Sequence, residues 1–158
     1  MKGIIGSATY GVAKSVNIYG IKVLQLNDKG LCVGDTSTII KGIEHVVDDS
    51  ADRDCPHGVV VNISIGGKFS QAYNDAAADL TNQGYFASVA SGNESLDAST
   101  RSPASEPSVC TVGGTNPDDS FFDRSNYGTA VDVLAPAESF LSTLPGGKAV
   151  SYKTFISL

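Results

Sequence analysis

Gly58-Val59-Val60-Val61-Asn62-Ile63-Ser64-Ile65, closed by Gly66-Gly67, is a near-continuous apolar run ended by two residues that stop a strand. Such a run reads as a strand covered on both faces, the habit of parallel sheets. After it, Ala72, Ala76, Ala77 and Leu80 form a stripe of small residues at helical spacing, with Gly84 placed as the stop. Further strands follow at Tyr85 to Ala90, Val109 to Val112 and Val131 to Leu134, separated by a Ser/Pro-rich loop and a second loop. Before the run, Ile39, Ile40, Ile43, Val46 and Val47 recur with helical period, capped by Thr36 or Ser37. Most of the acidic stretch Asp48 to Asp54 is expected beyond that helix, because carboxylates at a helix C-terminus oppose its dipole. The earliest segment, Val16 to Leu24, is β-rich. Strand, helix, strand, helix, strand means βαβ units and an α/β fold with a parallel sheet.

Length and composition bound the function classes. A chain of 158 residues is one domain, and 41% hydrophobic and 18% charged residues describe an ordinary globular protein. No apolar run approaches the length of a membrane span, and the first residues do not read as a signal peptide. A formal net charge of -6, with no Lys/Arg cluster, argues against a nucleic-acid partner. Cys32, Cys55 and Cys110 form no C-x-x-C, and His45 and His57 lie at no zinc-like spacing. Three cysteines leave at least one unpaired, and composition does not decide between a reducing and an oxidising compartment.

In open α/β sheets ligands sit beyond the carboxyl ends of the strands. Two such ends carry Ser64-Ile65-Gly66-Gly67 and Ala90-Ser91-Gly92-Asn93, which should line one crevice. Glycines let another backbone come close, and Ser64-Ile65 offers strand-edge groups to an extended peptide. A carboxamide at Asn93, just past a buried strand, suits a donor aimed at a developing oxyanion. Plain turns explain the same residues. A phosphate-cradling loop does not, since neither G-x-G-x-x-G nor G-K-[ST] is present.

Several stretches together resemble the secreted subtilisin-like serine proteases of the proteinase K group, as found in fungi. They are Tyr10-Gly11-Val12-Ala13-Lys14, Ser37-Thr38-Ile39-Ile40, Ser64-Ile65-Gly66-Gly67, Gly92-Asn93, the twelve residues Ser102 to Gly113, and Ser125-Asn126-Tyr127-Gly128. The resemblance runs from about Gly3 to about Val150, leaving 151–158 as a divergent tail. It implies a subtilisin-like parallel sheet with flanking helices, incomplete at both ends, in a secreted endopeptidase that hydrolyses polypeptides and is monomeric at full length.

By that resemblance Asn93 is the side-chain oxyanion donor, Ser64, Ile65 and Gly66 pair with the substrate backbone, and Ala90, Ser91 and Gly92 wall the primary specificity pocket. Small walls leave room for a bulky apolar side chain. The carbonyls of Pro107 and Val109 with the carboxylate of Asp132 match a calcium site, hard oxygen ligands for a hard cation. Cys55 and Cys110 match disulfide-forming positions whose partners fall outside this sequence, while Cys32 has no counterpart. Fungal members are often allergens.

The departures concern catalysis. The family's Asp and His precede the segment like Gly3-Ile4-Ile5-Gly6-Ser7, and its nucleophile follows a segment like Gly146 to Ser151; here the chain starts at Met1 and reads Tyr152-Lys153-Thr154-Phe155-Ile156-Ser157-Leu158 at its other end. His45, His57 and a Ser151/Lys153 pair are poorly placed to substitute. The expectation is therefore the substrate-binding and oxyanion-hole portion of a serine endopeptidase, inactive alone. The alternative is a noncatalytic peptide-binding or decoy domain. An incomplete sheet should also leave Ile63, Val89 and Val133 open to solvent.

Overall fold

The computed structural model describes residues 2–138, 140–143 and 149–152. A short helix α1 (Lys2–Gly6) leads through a long loop to a two-residue hairpin, β1 (Gln25–Leu26) and β2 (Cys32–Val33). Helix α2 (Thr36–Ala51), β3 (Val60–Ile63), β4 (Gly67–Lys68), α3 (Gln71–Asn82) and β5 (Phe86–Ala90) follow. Then come β6 (Arg101–Ser102), β7 (Cys110–Thr115), β8 (Val133–Pro136), β9 (Phe140–Thr143) and β10 (Ala149–Tyr152). The main sheet has the order β3-β5-β7-β8 with every pairing parallel, which is the α/β architecture the sequence predicted.

One face of this sheet carries the core. Val61 and Ile63 of β3 and Ala87 and Val89 of β5 meet Ile39 and Ile43 of α2 and Tyr73, Ala76, Ala77 and Leu80 of α3. Small residues on α3 let it pack tightly, and Ala77, Leu80 and Val89 have no exposed surface. Tyr73 joins that stripe in place of Ala72, which is exposed. The helix stops where expected: Gly84 adopts φ 90°, and the N–H groups of Gly84 and Tyr85 donate to the carbonyls of Thr81 and Leu80.

The opposite face departs from the two-sided cover read from the apolar run. Val60, Phe86 and Val133, which the register places on that face, are exposed by 71%, 57% and 47%. Of the three residues expected to be open, only Val133 is; Ile63 and Val89 are sealed beneath α2 and α3.

Three local expectations are corrected. Residues 17–24 join no ladder among the described residues. Their apolar side chains dock instead: Val23 packs against the core and lies over Gly42 of α2, and Ile18 lies over Gly6. The cap of α2 is Asp35, whose Oδ1 accepts the Thr38 N–H at 2.8 Å and the Ser37 hydroxyl at 2.6 Å, not Thr36 or Ser37. Helix α2 also runs on through Asp48, Asp49, Ser50 and Ala51, taking in more of the acidic stretch than expected. Arg53 explains this, since its guanidinium holds both oxygens of Asp49 one turn back and stacks 3.9 Å over the Tyr19 ring, offsetting the unfavourable charge.

Beyond the main sheet, β9 and β10 form an antiparallel pair in which Ser151 and Tyr152 oppose Leu141 and Phe140. The rest of the divergent tail, Lys153 to Leu158, lies outside the described residues, as do residues 144–148.

Candidate functional site

Strands β3 and β5 run parallel with Ile63 opposite Val89, so Ser64 and Ala90 leave the sheet side by side at its carboxyl edge. The two stretches singled out in the sequence thus come to one place. On the first, the Tyr73 hydroxyl of α3 donates to the Ile65 carbonyl at 2.9 Å. Burial pushes the Tyr73 phenol well above its usual range, so it remains a donor at any ordinary pH. The Ile65 carbonyl is therefore already committed, and the strand edge offers a peptide fewer free groups than the sequence suggested. After Gly66 the chain turns into β4, which pairs antiparallel with β6, Gly67 against Ser102 and Lys68 against Arg101.

On the second stretch, the Ser91 N–H donates to the Val112 carbonyl at 2.9 Å and Ser91 is fully buried. Gly92 has φ 105°, and any Cβ there would collide with Asn126 and lie 2.6 Å from Glu94 Oε2. Only glycine fits.

Asn126 organises the loop that follows. Wholly buried, it donates from Nδ2 to the Ser91 carbonyl and to Glu94 Oε2, both at 2.8 Å. Its Oδ1 accepts the N–H groups of Glu94 and Leu96 at 3.1 and 2.9 Å, and its own N–H donates to the Gly92 carbonyl at 3.0 Å. Residues 91–96 are wrapped around one carboxamide, and Asn93 within them is half-buried, its N–H donating to Glu94 Oε2 at 3.2 Å. The Asn93 Oδ1 is buried with no hydrogen-bond partner among the described residues. A buried polar group left unpaired costs about 1–3 kcal/mol, so the Asn93 side-chain oxygen adds nothing to holding the fold.

Glu94 also meets Arg101 Nη2 at 3.2 Å. Because Arg101 belongs to the ribbon that continues the first stretch, and Glu94 to the loop that continues the second, the ion pair spans the gap between them. Neither residue carries a signal in the sequence, since a two-residue ribbon is what brings them together. Asn126 lies in a family-like stretch where sequence alone points to no role; its burial reveals one.

Asp132 sits just before β8, with Oδ2 accepting the Thr111 N–H at 2.7 Å while its own N–H returns to the Thr111 carbonyl. Pro107 is exposed and Val109 buried in the preceding turn. No group of three acidic, His or Cys side chains gathers among the described residues, so any cation here would rest on one carboxylate and backbone carbonyls. Burial, then the charge of Asp132, raises the Cys110 thiol above its usual value. Cys32, Cys55 and Cys110 are free thiols, and His45 on α2 and His57 before the amino end of β3 are exposed. An open cleft of about 510 Å³ lined by Asn116, Asp118, Phe122, Arg124 and Glu138 contains none of the expected site residues.

A family model described as the subtilase family matches residues 2–156. The chain belongs to that family. Among subtilase relatives, Proteinase T of Parengyodontium album is 47% identical over 146 residues, covering 92% of this chain and 48% of the relative. The Cuticle-degrading protease of Metarhizium anisopliae is 47% identical over 149 residues, covering 94% of this chain and 37% of the relative. Among solved structures, a cold adapted subtilisin-like serine proteinase superposes with TM-score 0.84 at 37% identity, covering 96% of this chain and 52% of that one. The chain thus spans about half or less of the length of the subtilases it matches. Its fold is subtilisin-like, as the resemblance implied, and no helix among the described residues is long and apolar enough to cross a membrane.

Proposed function

We propose that this chain is the substrate-binding and oxyanion-stabilising part of a secreted serine endopeptidase acting on polypeptides. The observation that carries the proposal is the placement of Asn93 at the sheet's carboxyl edge, where Ser64 and Ala90 leave the strands side by side, on a loop locked by Asn126. In this reading an extended peptide lies along Ser64 to Gly66, a side chain enters between that stretch and Ala90-Ser91-Gly92, and Asn93 Nδ2 donates to the carbonyl oxygen as it gains negative charge. A preorganised donor of this kind acts only where charge develops, which raises turnover more than affinity. The attacking group, its base and the orienting carboxylate belong to the portions of the relatives that this chain does not span, and the chain alone is inactive.

Calcium is the cation that fits the oxygens of Pro107, Val109 and Asp132. Among the described residues Asp132 commits only Oδ2, to a backbone N–H, which orients the carboxylate while leaving its second oxygen for a metal. When bound, the ion would brace the turn before β7 against β8 and take no part in the chemistry.

The test uses the 158-residue chain with a fluorophosphonate probe and a labelled extended peptide. Peptide binding without labelling is the expected result. Covalent labelling would overturn the assignment of the nucleophile to other segments; no binding of any extended peptide would overturn the groove. A noncatalytic peptide-binding domain makes the same solution prediction, and coding sequence for Asp, His and Ser motifs adjoining the present codons separates the two.

A further inference from the structure

The open cleft of about 510 Å³ lies beyond the carboxyl ends of β7 and β8, whose last residues, Thr115 and Pro136, are paired. Pro117 follows the first of these strands, Glu138 follows the second, and the stretch Phe122-Asp123-Arg124 supplies the rest of the lining. Neither Ser64 to Gly66 nor Ala90 to Asn93 takes part, so the cleft is separate from the peptide groove. Its charges are not spent on holding the fold. Asp123, Arg124 and Glu138 enter no ion pair and no side-chain hydrogen bond among the described residues. Asp118 commits Oδ1 to the hydroxyl of Ser120 at 2.6 Å and to its N–H at 3.1 Å, which hold the carboxyl below its usual range and leave Oδ2 open.

Three carboxylates thus stand against one guanidinium in a space of ligand size. A bare metal ion does not suit it. No three acidic, His or Cys side chains among the described residues are placed to hold one, and a volume this large would take many waters at about 30 Å³ each. The lining calls for a longer cation with an apolar stem, because Phe122, buried with Ala137, and Pro117 give hydrocarbon beside the charges.

We propose that this cleft is a second binding site, which takes a lysine side chain of a polypeptide. The methylenes lie along Phe122 and Pro117, and the ammonium sits among Asp118, Asp123 and Glu138. Arg124 favours a peptide over a free diamine. A lysine residue carries a neutral backbone carbonyl at the other end of its stem, an acceptor for the guanidinium, whereas a diamine carries a second ammonium that the guanidinium repels.

To test this, the chain is tethered at low density to a sensor surface. Acetyl-Ala-Lys-Ala-amide, the same peptide acetylated on its Lys Nζ, and a five-carbon diamine are passed over it. The Lys peptide should bind about fivefold more tightly than its Nζ-acetylated form, the size of a few exposed charge contacts, and more tightly than the diamine. Asp123→Asn combined with Glu138→Gln should erase that advantage. Arg124→Gln should strengthen diamine binding more than Lys-peptide binding, a gain that no loss of folding can mimic. Equal binding of the two peptides would overturn the inference, as would a Lys advantage that survives the double substitution. Tighter binding of the diamine than of the Lys peptide to the unmodified chain, or no binding by any of the three, would overturn it as well. The peptide groove would stand in every case, since the cleft shares none of its residues.

Discussion

Asn126 shows how much one buried side chain can fix. Replaced by Ala, it would strand the N–H groups of Glu94 and Leu96 and the Ser91 carbonyl, and remove one of the three partners of Glu94 Oε2. Asn126→Ala should cost about 2–3 kcal/mol in urea unfolding, and amide exchange at Leu96 should accelerate before global unfolding does. Gly84 offers a cleaner case. Its φ of 90° is left-handed and a Cβ there would meet nothing within 4 Å, so Gly84→Ala isolates the backbone term alone, about 1–2 kcal/mol in the same measurement. Of these two positions the sequence made only the second legible. A glycine after a helical stripe announces a stop, whereas an asparagine between Ser125 and Tyr127 looks like a turn residue until its burial is known. Glu94 and Arg101 are hidden for a related reason: nothing in sequence order indicates that residues on separate short segments will meet.

Helices and strands were legible in proportion to how far their own periodicity decides them. Helices α2 and α3 and strands β3 and β5 repeat their apolar residues at one spacing and bury them on one core, so pattern and structure agree. Residues 17–24 have the composition of a strand, but composition cannot distinguish an edge that finds a partner from one whose side chains dock on a helix. The start of α2 yields a pH prediction. Hydrogen bonds from the Ser37 hydroxyl first, then from the Thr38 N–H and hydroxyl, hold the Asp35 carboxyl down to about 2. Because the folded value lies below the ordinary one, the cap's contribution is complete above the ordinary carboxylate range and is lost as pH falls through about 2. Thermal melts of Asp35→Ala should therefore lie below those of the unmodified chain at pH 7 and converge with them near pH 2. In α3, Leu80→Ala should cost about 2–5 kcal/mol, since the void it opens faces the sheet with no solvent to fill it.

As a whole the molecule is lopsided. One face of the main sheet is sealed by α2 and α3, while Val60 and Phe86, cross-strand neighbours near the amino end, stand exposed on the other with Val133. Among the described residues β3 is moreover the edge of the main sheet, the position at which another chain can add a strand. The isolated chain should self-associate at micromolar concentration, and Phe86→Lys should raise the monomer fraction in size-exclusion chromatography; a monodisperse, monomeric parent at that concentration would contradict this. The sequence predicted an open sheet and named Val133 rightly but Ile63 and Val89 wrongly, because strand alternation puts the sealed Val89 and the open Phe86 on opposite faces. The Tyr73 to Ile65 hydrogen bond has the opposite tendency, coupling the stretch at Ser64 to Gly66 to helix α3, whose Ala77 and Leu80 have no exposed surface. A loop that borrows its stiffness in this way has no private melting point: warming should leave the peptide-facing ledge firm until the interior itself gives way, and then both should go at once.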